Sequence, residues 1–260
     1  MPIITLTTDF GLGSPYVAEM KGAILKINPS ALIVDITHSI EPQAVQQAAF
    51  VFAQSISTFP HDSVHIIVVD PGVGTDRKII CAEIGPWRFV GPDNGVVQLA
   101  RNKFGKGKIV ELTQPKFWRE EVTATFHGRD VMAPVAAHLS MGVDMAQLGS
   151  SLENLVRLDF PIPTFEGHEI RGEVVWIDNF GNVVTNIDLD ALSEIDIQSA
   201  KVGFLNQEIE GINRTFGERP LGDLVAYIGS SSCLEIALVN GNLADAYHVS
   251  PGESINVIGT

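Results

Sequence analysis

The chain has 260 residues, 45% of them hydrophobic, enough for one large domain or two smaller ones with separate cores. Its 17 Lys and Arg stand against 31 Asp and Glu, a formal charge of −14 with no basic cluster, so nucleic acid is not an expected partner. No apolar run approaches membrane-spanning length, PIITLTTDFG carries no basic leader, and Cys81 and Cys233 have no partner motif, so a cytoplasmic protein with reduced core thiols is expected.

The first half of the chain alternates strands and helices. Ile3–Thr7 is an apolar strand, followed by the turn-rich Thr8-Asp9-Phe10-Gly11-Leu12-Gly13. Tyr16–Ile27 has helical spacing, with Val17, Met20, Ile24 and Ile27 on one stripe; Pro29 ends it and Leu32–Ile36 is the next strand. This β-turn-α-β order marks a parallel layered sheet. The turn has only two glycines, at the wrong spacing for a dinucleotide fingerprint. Asp9 is either an N-cap or a carboxylate placed to hold a ribose diol. The second strand ends in Asp35-Ile36-Thr37-His38-Ser39, and His38 reads as a loop histidine bonded to backbone. Gln43–Ser55 is a helix whose Val45, Ala48, Ala49 and Phe52 form the stripe facing the sheet, with Phe50 off it.

The stretch His65–Arg77, HIIVVDPGVGTDR, organises the chain. Its β-branched run reads as a strand buried on both faces, ending in Asp70 and a Pro-Gly-Val-Gly turn that carries the chain to Asp76 and Arg77. Ligands of open α/β sheets bind outside the carboxyl ends of the strands, where Asp70 would sit as the last strand residue. Asp70 can equally cap the turn. Lys78–Glu83 is a further strand, Gly91-Pro92-Asp93-Asn94-Gly95 a shaped loop, Val96–Asn102 a helix and Lys108–Leu112 a strand. Thr123–Asp130 precedes an apolar helix, Val131–Met141, of which Asp130 reads as a cap or first-turn acid. His127 lies just outside that helix, beside a glycine and among Thr and Arg rather than apolar neighbours. It is the best-placed group to titrate near neutrality.

Composition changes after Leu158, where Phe160-Pro161-Ile162-Pro163 reads as a linker. Strands then dominate: Glu169–Ile177, Gly181–Asn186, Ala200–Phe204, Leu224–Ile228, Leu234–Leu238 and Ile255–Ile258. The expected architecture is an N-terminal layered α/β domain over 1–160 with a mostly parallel sheet, then a small β-barrel-like domain over 161–260. In the second domain Asp178-Asn179-Phe180-Gly181-Asn182 joins an acid, two amides and an aromatic in one turn. That is either a hairpin with Asx bonds or a site for an amino-acid zwitterion or a purine. Gly229-Ser230-Ser231-Ser232 offers hydroxyls suited to holding a carboxylate.

No HExxH, ligand-spaced Cys pair, serine-hydrolase elbow or phosphate-cradling loop is present. Asp9, Asp35, Asp70 and His127 would hold a divalent ion only by converging, and no metal is expected.

The motifs TTDFG, VDITH, VVDPGVGTDR, GPDNG, TFHGRD, IDNFGNVVTNI and SCLEIA, in this order across essentially the whole chain, closely resemble those of the S-adenosylmethionine hydroxide adenosyltransferases, relatives of the fluorinating and chlorinating enzymes. The resemblance implies that Asp70, Arg77 and His127 line the place where water meets the ribose 5′ carbon. It puts the ribose on Asp9 and methionine on Asp178 and Asn182, with Phe180 near the adenine and a methionine carboxylate on Ser230. Val239 and Asn240 match backbone positions facing the adenine edge, and Phe216 matches an adenine-stacking aromatic. Phe126 of TFHGRD and Glu235 of SCLEIA complete the implied binding set. Ser232-Cys233 departs from the Gly-Tyr frequent in relatives. The implied reaction is in-line displacement by water or hydroxide, giving adenosine and L-methionine without a cofactor. The implied assembly is a homotrimer with sites between subunits. A halide nucleophile or non-catalytic binding of the same molecule are the alternatives. Water is favoured because Asp70 would repel a halide and because the run from Gly91 to Phe126 is too short for the extra loop of the fluorinating relatives.

Overall fold

The computed structural model describes residues 3–193 and 195–259. The chain divides into two compact units, Met1–Asp159 and Phe160–Thr260.

The first unit is built on seven strands: β1 (Ile3–Thr8), β2 (Leu32–Thr37), β3 (Val64–Val68), β4 (Ile79–Ile84), β5 (Trp87–Pro92), β6 (Lys106–Leu112) and β7 (Gly149–Ser151), in the order β2-β1-β3-β5-β4-β6-β7. The β2, β1, β3 and β5 strands run parallel, while β4, β6 and β7 pair antiparallel to their neighbours. The β4–β5 hairpin turns at Gly85-Pro86, with Gly85 at φ +52°. Helices α1 (Tyr16–Ile27), α2 (Val45–Ser55), α3 (Gln98–Phe104) and α4 (Ala133–Ser140) cover the sheet. Alternation along the strands supplies two cores. Leu6, Ile66 and Val68 pack with Met20 and Ile24 of α1 and with α4, whereas Ile67, Val69, Ile80 and Phe89 pack with Ala48, Ala49 and Phe52 of α2. Every residue of β3 is buried, as its unbroken apolar run requires. Phe52 is wholly enclosed, and truncating such a ring costs about 3–5 kcal/mol. Phe50, off the expected stripe, is buried as well.

The second unit is an antiparallel, barrel-like sheet. Its strands are β8 (Thr164–Glu166), β9 (Glu169–Ile177), β10 (Val183–Asp188), β11 (Lys201–Phe204), β12 (Gln207–Glu210), β13 (Leu224–Ile228), β14 (Cys233–Leu238) and β15 (Ser254–Ile258). They run β12-β11-β15-β9-β10-β14-β13, with β8 on β9. The order nearly closes, because β12 packs against β13 and Asn213 bridges to Tyr227. A short helix, α5 (Leu243–Tyr247), is capped by the Asn242 side chain, which accepts from the Asp245 N–H at 2.9 Å. Phe204, Val202, Ile236 and Val257 fill the interior.

Candidate active site

In the first unit the site forms at the carboxyl ends of β1 and β3. These are parallel neighbours in register at Thr8 and Val68, so the chain leaves both at one edge of the sheet. The strand stops at Val68, and Asp70 lies two residues beyond it rather than on its last position, because Val69 is already in the turn toward Pro71. The turn then folds back on itself. A Cβ at Gly72 would sit 3.0 Å from Arg77 Cγ, and one at Gly74, where φ is +80°, would sit 2.9 Å from the Ala124 carbonyl oxygen. Two glycines therefore let Arg77 return to Asp70 and let the segment before His127 lie alongside.

Arg77 joins the set. Its Nε donates to both Asp70 oxygens at 3.0 and 2.9 Å, and its Nη2 donates to Oδ2 at 2.5 Å and to His127 Nδ1 at 2.8 Å. A guanidinium only donates, so Nδ1 must accept and the neutral ring carries its proton on Nε2. Burial, then the Arg77 charge, holds the His127 pKa below its ordinary value, against the opposing pull of Asp70 and Asp130. His127 caps a π-helical turn, Gly128–Met132, which leads directly into α4. The apolar helix expected from Val131 thus begins three residues earlier, in wider coils. Asp130 is not its cap but an acid of its first turn, the second of the two roles expected. Wholly buried, it accepts from Arg119 at 2.6 Å, Arg129 at 2.7 Å and the Thr123 hydroxyl at 2.6 Å. Burial pushes its pKa up, but these bonds outweigh burial and hold it far below the carboxylate range.

The remaining first-unit candidates occupy separate places. Asp9 does not cap α1, which starts after Pro15; its Oδ2 accepts from the Gln43 N–H at 2.8 Å. Phe126 meets Phe10 and Tyr16 edge to face, at centroid distances of 5.7 and 5.2 Å. Sequence reasoning singled out neither Phe10 nor Tyr16; an aromatic opening α1, soon after the turn that carries Asp9, was the available signal. His38 is buried and its ring is bonded to a side chain rather than to backbone: its Nδ1 lies 2.9 Å from the Thr8 hydroxyl, while its Nε2 is 3.1 Å from Asp35 without the geometry of a hydrogen bond. Asp35 also takes Lys21 at 2.6 Å. Asp9 and Asp35 therefore have partners of their own while Asp70 and His127 share Arg77, and among the described residues no three His, Cys, Asp or Glu side chains gather as metal ligands do.

In the second unit a cavity of about 670 Å³ is lined by Asp178, Phe180, Asn182, Phe216, Tyr227, Gly229, Ser230, Glu235, Leu238, Asn240, Gly241 and Asn242. The turn after β9 is set by Asp178, whose Oδ1 accepts from the Phe180 and Asn182 N–H groups at 2.8 and 2.9 Å while Oδ2 accepts from Asn182 Nδ2 at 2.9 Å. Phe180 is left 77% exposed. Glu235 accepts from the Tyr227 hydroxyl at 2.6 Å and the Ser231 hydroxyl at 3.1 Å, and Tyr227 lies against Phe216 with centroids 4.6 Å apart. Burial, then Glu235, pushes the Tyr227 pKa well up, so the phenol stays a donor. Two carboxylates and no Lys, Arg or His line this cavity among the described residues. Seven sequence candidates meet here: Asp178, Phe180, Asn182, Phe216, Ser230, Glu235 and Asn240. Val239 is not among the lining residues; its N–H donates to the Asp223 carbonyl at 2.9 Å and its own carbonyl accepts from Gly222 at 3.0 Å. Ser232 has φ +62°, a conformation that favours glycine. Tyr227 and Asn242 went unnoticed in the sequence because each reads as part of an ordinary strand or cap.

An α/β unit with a hydrogen-bonded Asp–Arg–His set at its strand ends, followed by a barrel unit holding an acidic, aromatic cavity, defines a two-domain enzyme acting on a small molecule. The chain belongs to the S-adenosylmethionine (SAM) hydroxide adenosyltransferase family: the model of its N-terminal domain matches residues 4–149 and that of its C-terminal domain residues 172–256. It is 38% identical over 259 residues to the (R)-S-adenosyl-L-methionine hydrolase of Salinispora arenicola (strain CNS-205), covering 98% of this chain and 97% of that one. A fluorinase of Nocardia brasiliensis (strain ATCC 700358 / HUJEG-1) is more distant, 27% identical over 294 aligned positions that take in 98% of this chain and 96% of the relative. That alignment is longer than the chain itself and so opens gaps in it. The crystal structure of an uncharacterized conserved protein from Thermotoga maritima superposes with a TM-score of 0.93 at 37% identity, covering 98% of this chain and all of that one.

Proposed function

We propose that the protein hydrolyses S-adenosyl-L-methionine by attack of water at the ribose 5′ carbon, releasing adenosine and L-methionine. The observation that carries this reading is the unbroken Asp70–Arg77–His127 hydrogen-bonded set in a chain matched end to end by proteins named for that hydrolysis. In the reaction the oxygen–carbon bond forms as the carbon–sulfur bond breaks, and the electron pair passes to sulfur, which becomes the neutral thioether of methionine. The leaving group needs no acid. The protein has to orient one water and accept its proton. With Nδ1 taken by Arg77, His127 presents Nε2–H as a donor to the water oxygen, and Asp70 retains free lone pairs to accept the proton. Asp70 is then the base and His127 the orienting donor.

The substrate carries one net positive charge, and Asp178 and Glu235 give the second unit's cavity the complementary sign. Asp178, Asn182 and Ser230 serve the amino-acid end, and Phe180, Phe216 and Asn240 the nucleobase. Asp9 takes the ribose, with Phe126 in the aromatic cluster beside it; Val239 contributes packing rather than backbone bonds. The enzyme works in the cytoplasm as a homotrimer, one copy's triad serving a neighbour's cavity. Light scattering tests the assembly, a stable monomer at micromolar concentration counting against it.

The deciding experiment is turnover in ¹⁸O-labelled water with excess chloride, followed by mass analysis of the nucleoside. Label in the 5′ hydroxyl of adenosine is expected. A predominance of 5′-chloro-5′-deoxyadenosine, or label in methionine, overturns the reading. Asp70→Asn should retain S-adenosylmethionine binding and slow turnover by about 10²-fold or more.

A further inference from the structure

A cavity of about 380 Å³ opens in the first unit between α1 and the chain around Trp118 and Arg119; none of its lining residues is a binding or catalytic candidate named above, although Arg119 and Arg129 bond to Asp130 and Arg129 lies over the Phe126 ring at 4.8 Å. Glu19, Gly22 and Lys26 fall at i, i+3 and i+7 on α1, so one face of that helix forms its wall. The floor is apolar, from Ile27 and the half-buried Trp118. Around it stand three of the 17 Lys and Arg of the chain: Lys26, Arg119 and Arg129.

Their charges are only partly answered. Arg129 is fully engaged, donating to Glu19 at 2.7 Å and to the buried Asp130 through Nε and Nη2. Arg119 gives Asp130 one bond, from Nη1 at 2.6 Å, and its Nε and Nη2 have no acceptor among the described residues. The Lys26 ammonium has no carboxylate partner among the described residues either. Three cations against two carboxylates leave a surplus positive charge, in a molecule whose total is −14. Such a local reversal beside an apolar floor is a recognition pattern for an anion with a flat apolar body.

Gly22 is the second observation. It sits in the interior of α1 with ordinary helical backbone, and a Cβ there would meet nothing within 4 Å. Glycine weakens a helix interior and no neighbour requires it here, so its effect is to leave the groove open above Trp118.

We propose that this cavity binds a small planar organic carboxylate, its flat body between Trp118 and Gly22 and its charge held by Lys26 and Arg119. The test is calorimetric titration of the full chain with 2-naphthoate and, separately, with the neutral 2-naphthamide. One saturable site per chain is expected for the acid, with the amide at least about tenfold weaker. Saturating S-adenosylmethionine should not displace the acid, which separates this proposal from the assigned reaction. Lys26→Gln should weaken the acid about tenfold and leave the amide unchanged. Gly22→Leu should abolish both while the thermal melt is unchanged or raised. No saturable binding below about 10 mM, equal affinity for acid and amide, displacement by S-adenosylmethionine, or indifference to Lys26→Gln would each overturn the proposal.

Discussion

Arg77 fixes the protonation pattern of its neighbours. By donating to His127 Nδ1 at 2.8 Å it forces the proton onto Nε2, and its charge, after burial, is the main reason the ring resists a second proton. A histidine whose pKa is lowered by folding is protonated first in the unfolded chain. Its contribution to stability is therefore whole above the unfolded value of about 6.5 and is lost as pH falls through the folded one. Arg77→Met removes the repelling charge and the Nδ1 donor but leaves Asp70 in place. The His127 titration midpoint, followed by NMR of the imidazole, should move upward, and turnover should fall by about 10²-fold or more. An unchanged midpoint would mean that Arg77 and His127 do not touch in solution. The sequence made Asp70, Arg77 and His127 visible separately, as polar groups at strand and helix ends. Their hydrogen-bonded union was not legible, because it depends on the close approach of Gly74 to Ala124, 50 residues apart.

At the scale of elements, the π-helical turn Gly128–Met132 sets Gly128, the residue after His127, against β3. A Cβ on Gly128 would lie 3.1 and 3.2 Å from the two methyls of Val68 and 3.4 Å from Met20 Sδ. Both neighbours are in a packed core, so neither yields freely. Gly128→Ala should cost about 1–3 kcal/mol, read as a lowered melting temperature, and should slow turnover by shifting His127 from Arg77. A variant as stable and active as the parent would show that this contact has slack. Regular elements were legible in the sequence: periodicity alone bounds α1 at Tyr16–Ile27, β9 at Glu169–Ile177 and β13 at Leu224–Ile228, because their apolar stripes have clear ends. The π-helical turn was not, since its first residues, Gly128-Arg129-Asp130, owe their helical state to the buried Arg119–Asp130–Arg129 bonds rather than to an apolar stripe. The short β7, β8 and β12, and α5, were missed for a related reason: three to five residues carry too little pattern to identify an element.

At the scale of the whole molecule, charge ties composition to the proposed chemistry. The chain carries −14, and the second unit's cavity adds Asp178 and Glu235 without a cation among its described lining. S-adenosylmethionine carries a net charge of +1, whereas methionine is a net-neutral zwitterion and adenosine is neutral. In the proposed reaction the field of the protein thus attracts the substrate and holds neither product, so cleavage itself relieves the electrostatic part of binding. Salt should weaken the attraction, since the screening length falls from about 30 Å at 0.01 M to about 3 Å at 1 M. Between low and roughly half-molar salt, kcat/KM should drop by about 3- to 10-fold, almost wholly through KM, because the triad's own contacts are short and partly buried. S-adenosylhomocysteine, with the same nucleoside and amino-acid ends but a neutral sulfur, provides the control. Its inhibition constant should change much less over the same range. Equal salt dependence for the two, or none for either, would place substrate selection in shape and hydrogen bonding rather than in charge.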